Sequence, residues 1–223
     1  MSKKPNIIPY AFQPIYETTC EKKLFGYEAL VRPTDFKTPA EYIKSMEQSG
    51  KIHQLEFESF YNAVMQFRDR GLKGHLFVNS FPYEFLNDDE WEQIKQLSPE
   101  IFKKIHVESL EYGERINVLK LAAKVEHIRK QGLHVVVDDF GSGLNSISAI
   151  NILNPEIIKI DRFFISGCTK SQMCKNTVEI IVDCIRSHKA KVLAEGVETY
   201  DEFRFLRFLG VDYMQGYYLG TPE

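Results

Sequence analysis

LHVVVDD, residues 133–139, running on into FGSGL at 140–144, is the stretch on which the fold turns. Three consecutive valines read as a strand covered on both faces, the pattern of a parallel sheet rather than of one with a wet side. Two adjacent aspartates close the run. Buried carboxylates are costly unless paired or bound to a cation. The end of this strand must therefore open onto a place where negative charge is used.

Similar short runs recur on either side: HLFVNS (75–80), KIHVES (104–109), EIIKID (156–161), KVLAEG (191–196) and DYMQG (212–216). Helical patterns separate several of them. Residues 115–131 carry apolar side chains at Ile116, Leu119, Ala123 and Ile128 and stop at Gly132, while 170–188 and 200–209 are further helices, the second ending at Gly210. Strand–helix alternation implies parallel β-α units with right-handed crossovers. The N-terminal segments YAFQPIY (10–16) and KLFGYEALVR (23–32) are joined by a short polar stretch and read as a hairpin, followed by helices at 39–49 and 53–70. The expected fold is α/β: an eight-stranded barrel with an irregular start, one strand there being antiparallel. An open doubly wound sheet is the alternative. Without a Gly/Ser/Pro-rich linker or a low-complexity segment, residues 1–223 are expected to form a single domain.

In a barrel the C-terminal ends of the strands converge on one face, where active sites of this architecture lie. The polar residues at those ends are Glu28, Asn79, Glu108, Asp138, Asp139, Lys159, Glu195 and Gln215. Five of the eight are carboxylates and one is a lysine, so the cluster repels itself unless cations sit in it. Hard divalent ions with oxygen ligands answer that need. Adjacent aspartates can serve two neighbouring ions, an arrangement suited to cleaving a phosphoester with a metal-activated water. Taken singly, each residue has a blander reading as a cap, a turn residue or a surface charge; the grouping carries the argument.

The composition narrows the partners. A net charge of −3 argues against a broad surface for polymeric nucleic acid. The N-terminus lacks the apolar run of a signal peptide, and nothing approaches the roughly 20 residues of a membrane-spanning helix. Cys20, Cys168, Cys174 and Cys184 show no CxxC spacing. They read as reduced thiols of a cytoplasmic protein, not as a zinc site.

GYEALVRP (26–33) resembles the signature of EAL-domain cyclic di-GMP phosphodiesterases. The blocks FVNSFP, VESLE, DDFGSGLNSI, IKIDRFFI, LAEGVET and QGYYLG follow in that family's order, from AFQPI near the N-terminus to QGYYLGTP. The resemblance implies a TIM-like barrel with one strand reversed near its start. It implies hydrolysis of one phosphodiester of cyclic di-GMP to linear pGpG, lowering a second messenger in bacterial signalling, with Mg²⁺ or Mn²⁺ as cofactor and Ca²⁺ inhibitory. Carried over by motif, Glu28, Asn79, Glu108 and Asp138 are ligands of one ion. Asp138, Asp139 and Glu195 are ligands of the second, Asp138 bridging. Lys159 would stand beside the hydrolytic water, with Asp161 supporting local structure. Gln215 would hydrogen-bond near the metals, Arg32 would contact a substrate phosphate, and Leu30 and Gln13 would touch nucleotide.

Glu111 and Glu198 resemble acids that hold the ligands and the loop after Asp139 in place, and Gly141 and Gly143 let that loop turn tightly. A homodimer is implied as well, and a regulatory domain or partner outside this chain is compatible with it. Four features depart from the family pattern: Pro33 stands where an aromatic residue is common after Arg32, the segment 34–38 is shorter and less Gly-rich than usual, Leu144 stands where tyrosine is common, and Ser109–Leu110 replace a leucine and a threonine. None removes a proposed ligand. Two other readings compete: a cyclic di-GMP-binding or protein-interaction module without turnover, and a metal-dependent phosphodiesterase for another nucleotide.

Overall fold

The computed structural model describes residues 5–18, 23–109, 118–141, 150–151 and 153–223. Eight strands close a barrel in sequence order: Tyr10–Glu17 (β1), Lys23–Val31 (β2), His75–Ser80 (β3), Ile105–Ser109 (β4), His134–Phe140 (β5), Ile157–Ile160 (β6), Lys191–Ala194 (β7) and Tyr213–Met214 (β8). β1 runs antiparallel to both neighbours, β2 and β8, and every other pair is parallel. The expected barrel with one reversed strand is what the chain forms, and closure of β8 onto β1 overturns the open-sheet alternative. The described helices are Pro39–Gln48 (α1), Ile52–Asp69 (α2), Asp88–Leu97 (α3), Pro99–Phe102 (α4), Val118–Lys130 (α5), Arg162–Ile165 (α6), Gln172–Ser187 (α7) and Tyr200–Phe208 (α8).

Local chemistry sets the helix starts. Thr38 caps α1 ahead of Pro39, and the pairs Asn87/Glu90 and Thr199/Glu202 form reciprocal capping boxes on α3 and α8. The α5 helix differs from its expected face. Leu119 and Ala123 are exposed, whereas Leu121, Lys124, Val125 and Ile128 are buried. Those four keep the i, i+3, i+4, i+7 spacing of a core stripe. The lysine hid the stripe, because apolar counting does not admit a buried charge whose partner lies elsewhere in the chain. Ile116 lies outside the described residues.

The barrel interior is layered. Ile15, Phe77, Val136, Ile157 and Leu193 form its middle, with Phe25 and Tyr213 packed against them. Below them His75, His106 and His134 stack with Phe25 and Phe77. Burial, reinforced by His134 and His75, drives the His106 pKa down to about 2, so that ring stays neutral. Alternation does the rest: two residues beyond Phe77, Val136, Ile157, Leu193 and Tyr213 come Asn79, Asp138, Lys159, Glu195 and Gln215. β2 reaches the same layer through a bulge. Ile15 pairs with Gly26 and Tyr16 with Leu24, leaving Phe25 as the extra residue. That shift lets Phe25 fill the floor while Glu28, the partner of Gln13, faces inward above it.

Candidate functional site

Lys159 is the centre of the upper layer. Its Nζ lies 2.6 Å from Glu195 Oε1, 2.7 Å from Glu108 Oε1, 2.9 Å from Asp138 Oδ1 and 3.6 Å from Glu28 Oε2. The side chain is 1% exposed and Glu108 is wholly buried. Burial works to lower the Lys159 pKa, but Asp138, Glu108, Glu195 and Glu28 outweigh it and hold the group well above its ordinary value. The ammonium is permanent. Burial, partly offset by Lys159, raises the carboxyl pKa values of Glu108 and Glu195 well above their usual range, with Asp138 and Glu28 adding to the rise. One lysine does not neutralise four acids.

The adjacent aspartates answer the question their sequence raised. In a regular strand consecutive side chains point to opposite faces. Here the β5–β6 register shifts between Val137 and Phe140, and Asp139 adopts a left-handed φ of 50°. The bulge turns both carboxylates the same way. Oxygens of Asp138, Asp139 and Glu195 all lie within 4.8 Å of one another. Gly141, at φ 100°, continues the turn, and a Cβ there would stand 2.5 Å from the Phe164 ring. The loop thus has a steric demand for glycine at that position.

The remaining residues assemble around this core. Gln215 donates to Glu28 Oε2 at 2.7 Å and to Gln13 Oε1 at 2.9 Å, and Gln13 donates to the Gly220 carbonyl at 3.2 Å. Asn79 is the register partner of Glu108. Leu30, Arg32 and Asn79 line a cavity of about 190 Å³ with Tyr10, Tyr42 and Phe81. Burial first, and Glu58 second, push the Tyr42 phenol up to about 12, so it remains a neutral donor. Arg32 is exposed and donates to the Val31 carbonyl at 3.0 Å, and its guanidinium is available to an anion. Asp161 accepts from the Phe163 amide at 2.5 Å and caps α6.

Glu198 lies beside Glu28 and Glu195, lining the same cavity. Its carboxylate pairs with Arg162 at 2.7 Å, because Gly196, at φ 65°, lets the Arg162 stem pack across the turn. Arg162 and Tyr217 line a second cavity, of about 170 Å³, with Gln13, Glu28, Glu195 and Gln215. Neither residue was singled out from the sequence. The available signals were a cation directly after the K-x-D block and an aromatic next to Gln215–Gly216. Glu111 and Gly143 lie outside the described residues.

The donors fit hard divalent cations. They are all oxygens, they exceed the charge of Lys159, and Glu108 keeps both carboxylate oxygens buried without an oriented hydrogen bond. Lys159 Nζ approaches one of those oxygens, Oε1, at 2.7 Å and leaves Oε2 to be completed. A buried acceptor left this way is costly unless another cation completes it.

Comparison with known proteins agrees with the fold. The EAL domain family model matches residues 5–222, and the chain belongs to the EAL domain family. It is 29% identical over 225 residues to the probable cyclic di-GMP phosphodiesterase PdeI of Escherichia coli (strain K12), a match covering 95% of this chain and 28% of that protein. The cyclic di-GMP phosphodiesterase PdeR of the same strain is 27% identical, with 95% and 33% covered. The chain thus spans about a third or less of these curated relatives. Among solved structures, the c-di-GMP-bound form of a standalone versatile EAL protein from Vibrio cholerae O395 superposes with a TM-score of 0.87 at 25% identity, covering 99% of this chain and 94% of that one. The calcium/cy-diGMP complex of BlrP1 from Klebsiella pneumoniae shares the fold, with a TM-score of 0.82 at 22% identity over 100% of this chain and 60% of that one.

Proposed function

We propose that this chain is an active phosphodiesterase that opens cyclic di-GMP to linear pGpG. The supporting observation is the set of four carboxylates gathered on Lys159, with Asp139 turned onto the same side by the β5 bulge. Receptor-type relatives are expected to lose such acids; here none is lost. In this reading Glu28, Asn79, Glu108 and Asp138 hold one Mg²⁺ or Mn²⁺, and Asp138, Asp139 and Glu195 hold a second. The ions would supply Lewis acidity toward the phosphate and a lowered pKa for attacking water.

The chain's own residues supply the rest. Lys159 keeps a fixed positive charge beside the reacting water and the phosphate oxygens, where charge develops. Glu195 and Asp138 hold that ammonium in place. Arg32, on the side of the larger cavity, and Arg162, on the side of the smaller, give a cyclic dinucleotide one guanidinium for each flank, with Leu30, Gln13 and Gln215 lining the approach. Water adds to one phosphorus, the P–O bond to the ribose breaks, and the departing oxygen takes up the proton.

We read residues 1–223 as one domain, acting in the cytoplasm as a homodimer. Cys168, Cys174 and Cys184 are free thiols. No described helix is long and apolar enough to cross a membrane. Incubation with cyclic di-GMP and Mn²⁺, followed by nucleotide separation, tests the activity. The expected product is pGpG; binding without product would make the chain a receptor, and cleavage of other cyclic nucleotides in preference would change the substrate. Light scattering reads the dimer.

A further inference from the structure

Behind the site lies a second buried ion pair that the chemistry above does not use. Glu56 of α2 is fully buried, and its Oε1 accepts from Lys124 Nζ of α5 at 2.7 Å and from Ser80 Oγ at 2.6 Å. Its Oε2 accepts from the Phe81 amide at 2.9 Å. Lys124 also donates to the Glu84 carbonyl and is itself 3% exposed. Taking two charges out of water costs several kcal/mol per ion, and apolar residues of like volume often serve stability as well or better. Stability alone is a weak reason for this pair, and its position suggests another.

Ser80 and Phe81 are the two residues after Asn79. Alternation along β3 puts Phe77 and Asn79 inside the barrel and turns Ser80 outward to Glu56. Glu56 therefore grips both the outward side chain at the strand's last residue and the first amide beyond it, where ladder pairing has ended. Lys124, from the helix that follows β4, keeps that carboxylate aimed. An amide ligand is drawn to a cation less strongly than a carboxylate, so it depends more on where the backbone holds it. We propose that Glu56, locked by Lys124, is a positioning residue for Asn79 and sets the affinity of the metal site from outside the barrel. This rests on the reading of Asn79 as a metal ligand.

The test is Mn²⁺ binding to the metal-free protein, followed by the loss of the free-ion signal in electron paramagnetic resonance. The variants are Ser80→Ala, Glu56→Gln with Lys124→Met, and each of these combined with Asn79→Ala. The paired substitution should weaken Mn²⁺ binding by about 10- to 100-fold, the range for residues that support ligands. Ser80→Ala, which removes one hydrogen bond and folds even if the paired variant does not, should weaken it by roughly 2- to 12-fold. In the Asn79→Ala background neither should weaken binding further, because coupled residues are not additive. At saturating Mn²⁺ the KM for cyclic di-GMP should stay at the wild-type value. Equal fold-losses with and without Asn79, or wild-type Mn²⁺ affinity in Ser80→Ala, would overturn the inference. A wild-type chain that binds no Mn²⁺ would overturn the metal reading, and this inference with it.

Discussion

Replacing Lys159 with methionine removes the one charge at the centre of the site while nearly keeping its volume. The ammonium sits 2.6–3.6 Å from four carboxylates. Breaking a buried pair by deleting one partner costs about 3–5 kcal/mol, because the other charge stays buried. In a chain of this size that is a loss of roughly 6–20 °C in Tm. The loss has a pH dependence. Glu108 and Glu195 already have raised pKa values, chiefly through burial, and losing Lys159 raises them further. A carboxyl whose folded pKa lies above its unfolded value favours folding below the unfolded pKa, and that contribution is lost as pH rises through the folded pKa. The metal-free variant should thus be nearest to wild type in mild acid and fall behind as pH rises. Mn²⁺ should restore much of the difference, since it replaces the missing positive charge. Turnover should drop about 10²–10³-fold with KM little changed, the scale for removing one transition-state charge donor. The assays are calorimetric Tm at several pH values, with and without Mn²⁺, and pGpG formation. A Tm deficit independent of pH, or wild-type kcat, would refute the reasoning.

Asp138→Asn and Glu28→Gln should each abolish pGpG formation, because a neutral amide of the same shape cannot replace a charged ligand; wild-type product formation by either purified variant contradicts the metal assignment. Arg32→Ala should weaken substrate binding about 10- to 150-fold, the size of a charge-assisted hydrogen bond, and calorimetry showing unchanged affinity removes Arg32 from the phosphate site. Mg²⁺ and Mn²⁺ should support hydrolysis while Ca²⁺ permits nucleotide binding with little cleavage, since its longer bonds and looser geometry misplace the reacting water. Equal turnover in Ca²⁺ and Mg²⁺ would count against the two-ion arrangement. Cys184→Ser should retain near-normal specific activity, and its loss in a folded protein would give that thiol a role not assigned here.

The hairpin at the start, the order of the strands and the layer of polar residues at their ends were all legible in the chain. Each depends on local rules: β-branched runs make strands, turn residues end them, and alternation carries one apolar interior residue to the polar one two places later. Strand-end position singled out Asn79 and Glu195, which stand two places beyond the interior residues Phe77 and Leu193. Capping chemistry such as Asn87/Glu90 and Thr199/Glu202 is local in the same sense. The family signature added which chemistry the polar layer is expected to perform.

What the sequence could not decide was anything set by a neighbour far along the chain. Alternation would send Asp138 and Asp139 to opposite faces; the register imposed by β6, together with the left-handed backbone at Asp139, brings them to one side. Nothing in KLFGY announces that Phe25 is the extra residue of a bulge, because the bulge exists only in the pairing with β1. Lys124 reads as a surface charge until Glu56, 68 residues away, is found against it. Likewise nothing near Glu198 in the chain names Arg162 as its partner; the turn at Gly196 brings the two together. Local sequence determines which residues form the strands and which side chains they carry; register and charge pairing are long-range, and only the closed barrel fixes them.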